Sequence, residues 1–298
     1  MRNFEVSSDS TCELYADEIK KLEVFVSPLT FTIDENGKLG EYLDNFQTQQ
    51  EYVDFYNKLR KGGVAKTSIL NLQSHIDLFT EMAEKGIKNA IHISQGKGLS
   101  PTIDNALKAI EIVKEKYPDI NYVALESTTT TAAEGFLVRN AVELRDEGKT
   151  LDEAVALIEK QKGLIQHFIV VDDLMYLKRG GRIGGVKAAI GTMLRLKPVI
   201  EFTQAGKLEI VRKEMGQKKA FKSIIDEVKQ NFTFNDDHFK SAIVHTDNLD
   251  AAKAMQAEIK SAFGVESEIR IMGPIIGAHV GPNAVAWTFI SNEKRLLP

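Results

Sequence analysis

The chain has 298 residues, 43% hydrophobic and 27% charged, which suits a globular protein with room for two domains and a sizeable core. A formal net charge of −4 argues against a nucleic-acid binder, which would show a basic footprint, and no apolar run approaches the roughly 20 residues of a membrane span. The single cysteine, Cys12, excludes an internal disulfide and, with no basic-then-apolar leader at the N-terminus, fits a cytoplasmic location.

In chain order, residues 3–7 read as a first short strand, and Asp9, Ser10 and Thr11 as N-cap types that open a helix ending near Lys20. They stand just beyond the carboxyl end of a strand, where open α/β sheets place ligands. Residues 24–28 form the next strand pattern. Residues 31–39 suggest a small hairpin with Asn36-Gly37 at its tip, and 46–60 an amphipathic helix. Gly62-Gly63 gives a flexible entry to Lys66-Thr67-Ser68, whose hydroxyls can cap a helix over residues 73–84. A strand over 87–93 is followed by a loop to Thr102, with Ser94 at its start and Ser100 placed as N-cap of a helix over 103–117. Pro101 suits that helix's first turn. An N-cap hydroxyl beside free helix N–H groups is also a natural carboxylate site. Residues 122–125 read as strand, and Ser127 with four threonines as turn and capping residues before a helix over 135–147. Thr150 and Glu153 form a capping box for a helix to about residue 162.

This alternation implies a parallel sheet with helices on both faces. From residue 166 the pattern changes. After a strand at 168–171, Asp172 or Asp173 can cap a short helix over 174–177, and residues 183–194 read as a second apolar helix. A hairpin over 198–211, a helix over 218–231, a strand at 242–245, a helix over 250–263 and a strand at 266–271 follow. A Gly/Pro-rich bend at 273–284 carries His279, and 285–290 is the closing strand. The expected fold class is therefore α/β in two domains: residues 1–165 as an α/β/α domain with a parallel sheet, and residues 166–298 as an α/β domain with a mixed or antiparallel sheet.

Lys178-Arg179-Gly180-Gly181-Arg182, with Gly184-Gly185 close behind, packs three cations among four glycines. Backbone can approach a ligand closely there, and the guanidiniums suit a carboxylate or phosphate. The alternative is that Arg179 and Arg182 cap helix ends or lie in solvent, since the spacing is not that of a phosphate loop. His279, in its bend, can face a cavity, whereas His75, His92, His167, His238 and His245 read as structural. A Ser/His-dependent hydrolase or acyltransferase acting on a lipid ester is a second reading, although no GxSxG elbow occurs. A nucleotide-binding domain is a third, but the first βα turn has no GxGxxG. No His, Cys, Asp and Glu set has metal-ligand spacing.

The stretches VDDLMYLKRGGRIG…LKPVIEF and GPIIGAHVGPNA resemble the signatures of the DegV family of bacterial lipid-binding proteins, and the resemblance extends over essentially the whole chain. It is closest in these two blocks, moderate at Lys66-Thr67-Ser68 and Leu99-Ser100, and loosest over residues 126–135. The resemblance implies two α/β domains with one long-chain fatty acid in a tunnel between them and no cofactor. It further implies that Thr67, Ser100 and His279 hold the carboxylate and Arg182 meets phosphate, with Ser68, Ser94, Ser127, Arg179 and Asn283 as secondary candidates. A separate ATP-binding fatty-acid kinase subunit is the implied partner, producing an acyl-phosphate for phospholipid synthesis. Lys178, Arg179, Lys187 and Arg195 are candidates for its docking patch. The chain departs from the family pattern at Ile69-Leu70, Pro101, Ile103, Ala278 and Asn283.

Overall fold

A computed structural model describes residues 2–183, 196–234 and 240–298. Its elements run β1 (Glu5–Asp9), a 3-10 turn (Ser10–Cys12), α1 (Ala16–Leu22), β2 (Phe25–Ser27), β3 (Thr30–Glu35), β4 (Lys38–Leu43), α2 (Gln49–Arg60), β5 (Val64–Thr67), α3 (Leu72–Glu84), β6 (Asn89–Ser94), α4 (Thr102–Lys116), β7 (Asn121–Glu126), α5 (Thr131–Asp146) and α6 (Leu151–Lys162). They continue with β8 (Ile165–Val170), α7 (Leu174–Arg179), β9 (Leu196–Phe202), β10 (Leu208–Met215), α8 (Gln217–Asn231), β11 (Ser241–His245), α9 (Leu249–Phe263), β12 (Glu268–Ile271), α10 (Pro274–Val280) and β13 (Val285–Ile290). The chain divides into two compact units: residues 1–32, 41–47 and 67–162, and residues 33–40, 48–66 and 163–298.

The first unit is built on a parallel four-stranded sheet, order β2-β1-β6-β7. Alternation along β6 assigns its faces. Ala90 and His92 meet α3, where His92 stacks edge-on against Phe79 and His75. Ile91 and Ile93, fully buried, point to the other face, against which α5 and α6 pack. The α3–α4 side closes over Phe79, Met82, Ala106, Ala109 and Val113. Small residues there let the helices approach the sheet closely, and near-continuous apolar strands are what a sheet covered on both faces requires.

The second unit carries a mixed six-stranded sheet, order β10-β9-β8-β13-β11-β12, in which β11–β12 pair in parallel and the other neighbouring strands antiparallel. Trp287, Phe289 and Phe168 anchor one face against α8 and α9, and the Trp287 indole N–H, which would otherwise be a buried orphan, donates to Ser241 at 2.9 Å. On β8, His167 lies on the opposite face, 4.5 Å between ring centroids from Phe202. The C-terminal tail ties in beside it, where Arg295 donates to the carbonyls of Ile165 and Thr203.

The α/β class, the parallel first sheet and the mixed second one agree with the sequence reading. Several local readings change. The expected hairpin tip forms at Asn36 and Gly37, both at positive φ, but residues 64–67 form a third strand, giving a sheet of order β4-β3-β5. Asn71, not Thr67 or Ser68, caps α3, its side chain accepting from Ser74 N at 2.9 Å, because Thr67 is committed to β5. The N-cap of α4 is Pro101, not Ser100. Asp173, rather than Asp172, caps α7, while Asp172 pairs with Lys197. The bend at 273–284 contains a two-turn helix, α10, since Pro274 suits a first helical position and Gly281, at φ 75, closes it. The expected helix over 183–194, with Gly184, Gly185, Lys187 and also Arg195, falls outside the described residues apart from Ile183, and His238 does so too.

Candidate functional site

In the first unit the chemistry gathers at the carboxyl ends of β1, β6 and β7. The chain leaves β1 for β2 on one side and β6 for β7 on the other, so the crevice of this doubly wound sheet opens between β1 and β6. Asp9 closes it. One of its carboxylate oxygens accepts from Thr11 N at 3.0 Å, and the other from Ser94 Oγ at 2.8 Å and Gln95 N at 3.1 Å. Ser94 is therefore a fully buried strap between the strands. The following loop is pinned again where Gly96 N donates to Thr129 O at 2.7 Å and Lys97 N to Glu126 Oε1 at 2.7 Å. A Cβ at Gly96 would lie 2.8 Å from the backbone of Thr128 and Thr129, so glycine is required there. The loop ends on Ser100, buried, with its hydroxyl 2.9 Å from that of Thr102.

The neighbouring loop places Ser127 inward, its hydroxyl donating to Thr129 O at 3.1 Å. Thr128 and Thr131 take positive φ, 55° and 60°. For a β-branched residue this is a strained conformation of the kind found at binding sites. Thr67 ends β5 half-buried, and Ser68 is exposed. Behind the loops, Glu134 on the first turn of α5 is fully buried, with Oε2 2.8 Å from Thr11 Oγ1 and Oε1 3.3 Å from Ser8 Oγ. Burial, then the nearby Asp9, push the Glu134 carboxyl well above its usual range. The α5 dipole favours the ionised form by about 0.3–1 kcal/mol, which is small against the several kcal/mol that desolvating a charge costs.

In the second unit α7 and α10 meet through glycine. A Cβ on Gly180 would lie 2.2 Å from His279 Nδ1, and one on Gly281 2.4 Å from the Tyr176 ring. The absence of both side chains lets His279 and Tyr176 seat against the facing backbone. Just past α7, Gly181 turns the chain at φ 68 and Arg182 folds back, its guanidinium donating to Gly180 O. Burial first, and then the Arg182 charge, pull the imidazole down to about 4. His279 is thus a neutral ring beside a permanent cation, able to offer one N–H while Arg182 supplies the charge.

The two cations of the KRGGR stretch separate here. The Arg182 charge acts on His279, whereas Arg179 lies over the Tyr176 ring, 4.5 Å from its centroid. Asn283 is exposed, and its side-chain oxygen accepts from Arg60 at 3.3 Å. The structure thus brings Arg182 to His279, sets Ser94, Ser100 and Ser127 around two adjoining loops of the first unit, and turns Asn283 to Arg60. The sequence reading gave no role to Glu134, which it left just outside a helix over 135–147. The available signal was the run of small and apolar residues on either side, Ala132-Ala133 and Phe136-Leu137-Val138.

A parallel sheet whose crevice is closed by a carboxylate strap, and a unit with a mixed sheet that carries a Gly-seated His, describe a two-domain α/β protein. The profile of the family described as "Uncharacterised protein, DegV family" matches residues 3–292, and the chain belongs to the DegV family. It is 31% identical over 295 residues to a DegV domain-containing protein of Clostridium perfringens, covering 99% of each chain. Among solved structures, the fatty-acid-binding DegV protein of Streptococcus agalactiae superposes with a TM-score of 0.80 at 28% identity, covering 98% of this chain and 100% of that one. A stearic-acid-binding protein of Eubacterium ventriosum superposes at 0.83 with 22% identity, covering 97% and 98%. No helix among the described residues is long and apolar enough to cross a membrane, and no group of His, Cys, Asp and Glu among them could hold a metal.

Proposed function

We propose that this protein binds one long-chain fatty acid and presents its carboxylate to a separate ATP-dependent kinase subunit, which converts it to an acyl-phosphate for phospholipid synthesis in the cytoplasm. The observation that carries the reading is the neutral His279 seated on Gly180 beside Arg182. A neutral donor and a guanidinium suit a carboxylate, and the guanidinium also suits the extra charge of an acyl-phosphate. The relatives described as binding stearic acid and other fatty acids support the ligand class. Burying an acyl tail contributes about 0.8 kcal/mol per CH₂, so an apolar tunnel with a few donors at its mouth suffices for tight binding.

In this reading the domains are residues 1–165 and 166–298, and Thr67 and Ser100 supply hydroxyls alongside His279 and Arg182. Ser94, Ser127, Arg179 and Asn283 hold the surroundings in place through the bonds described above. Exposed Lys178 and Arg179 contribute to the kinase-facing surface. The Ser–His contact that a hydrolase would need does occur, Ser7 Oγ to His92 Nδ1 at 3.0 Å, but both residues are sealed in β1 and β6, away from any substrate.

Native mass spectrometry of the purified protein, followed by denaturing extraction, tests the proposal. One co-purifying fatty acid per chain is expected, with its loss in His279→Ala. A wild-type chain that is empty and takes up no added fatty acid would overturn it.

A further inference from the structure

The hydroxyl protons around Asp9 and Glu134 can be counted. Thr11 has one, and its oxygen lies 2.5 Å from Asp9 Oδ1 and 2.8 Å from Glu134 Oε2. Ser8 has one, and it is taken by Ile93 O at 2.7 Å, which leaves nothing for Glu134 Oε1 at 3.3 Å. Asp9 accepts from two backbone N–H groups, of Thr11 and Gln95, which donate at any pH, and from Ser94. It therefore fits the acceptor-only carboxylate. Glu134 has no such guaranteed donor. If it were ionised, two carboxylates would compete for the single Thr11 proton in a site closed to water.

We infer that Glu134 is a neutral acid that donates to Thr11 Oγ1, and that the relay Glu134–Thr11–Asp9 positions the loop of residues 95–100 through Gln95 and Ser94. The inference rests on the proposed function in one respect, that this loop delivers Ser100 to the fatty-acid headgroup. Glu134 and Asp9 are positioning residues and need not touch the ligand. The groups acting on Glu134 are Asp9 at the end of β1, and Cys12 and Glu13 at the 3-10 turn, all acidic or neutral. The cation one turn further along α5, Arg139, pairs with Glu18 at 3.6 Å. Nothing in this set compensates a second negative charge. Alkaline deprotonation of Glu134 accordingly turns the Thr11 proton away from Asp9 and loosens the strap on residues 95–100.

The test uses the full chain with three readouts: cis-parinaric acid affinity between about pH 6 and 10, amide-exchange protection of residues 95–100, and the infrared band of protonated carboxyls. Wild type should lose affinity and protection as pH rises. Glu134→Gln, whose amide donates to Thr11 at every pH, should bind within about twofold of wild type at pH 7 and show no alkaline decline. Its neutral-pH infrared difference against wild type should show one protonated carboxyl missing. Asp9→Asn, which turns an N–H toward a backbone N–H, should weaken binding at least about tenfold at every pH. The inference is overturned if no protonated carboxyl is lost in Glu134→Gln, or if that variant, still folded, binds as poorly as Asp9→Asn. If wild type takes up no fatty acid, the proposed function falls, and the infrared band and the exchange of residues 95–100 decide the relay by themselves.

Discussion

Gly180 and Gly181 are adjacent and do different work. Gly180 has ordinary φ, but a Cβ there would sit 2.2 Å from His279 Nδ1; Gly181 has open space around it but φ 68. Gly180→Ala must therefore displace His279. It is expected to cost about 1–3 kcal/mol, as overpacking does, and to abolish fatty-acid retention. Gly181→Ala pays only the left-handed backbone penalty, about 1–2 kcal/mol, and should keep the ligand. Urea melts beside native mass spectra of the two variants separate these outcomes. Equal retention in both would show that the seat on Gly180 does not matter. The pair GG was visible in the sequence, but which glycine is held by sterics and which by φ was not, because the partner that decides it lies about a hundred residues away.

Helix α10 illustrates the same limit at the level of elements. Its Gly-Pro composition reads as a bend, and the chain uses those residues to start and stop a helix instead. What holds it is packing from a distant segment. Gly277 leaves room for Tyr56 of α2, whose hydroxyl would come 2.3 Å from an added Cβ, and that hydroxyl donates to Met272 O at 2.8 Å just before the helix. Tyr56→Phe leaves the buried Met272 carbonyl without this donor and is expected to lower stability by about 1–3 kcal/mol, read as a shift in the urea midpoint at unchanged slope. A change below a few tenths of a kcal/mol would mean that the bond does not contribute. By contrast, the capping box of α6 was legible, with Thr150 N donating to Glu153 Oε2 at 2.8 Å, because a local i to i+3 pattern needs no distant partner.

Over the whole molecule, burial of carboxyls sets the response to pH. Glu201 on β9 is raised to about 7, by burial first and then by Glu227, partly offset by Arg212, which bonds both. Glu134 is also raised, by burial first and then by Asp9. A carboxyl raised in the folded state binds its proton there while the unfolded chain, with an ordinary value of 4.5, has released it. Its contribution is thus fully present below about pH 4.5 and is lost as pH rises through 7. Glu201→Gln should flatten the thermal-stability curve between about pH 5 and 8. An unchanged slope in that window would rule out Glu201 as its source.

The sequence by itself determined the α/β class, the change from parallel to mixed sheet after residue 165 and the capping box at Thr150, and its two signature blocks carried the resemblance to the family. The class, the change of sheet and the cap rest on periodicity and nearest-neighbour chemistry, which a linear chain displays, and the blocks rest on resemblance. Only the tertiary structure decided that Arg182 rather than Arg179 meets His279, that Asn283 serves Arg60, and that Ser94 is a strap for Asp9. It also placed Glu134, to which the sequence reading gave no role, in a closed site. In each case the role comes from a partner far along the chain and from the exclusion of water, and neither is encoded in local spacing.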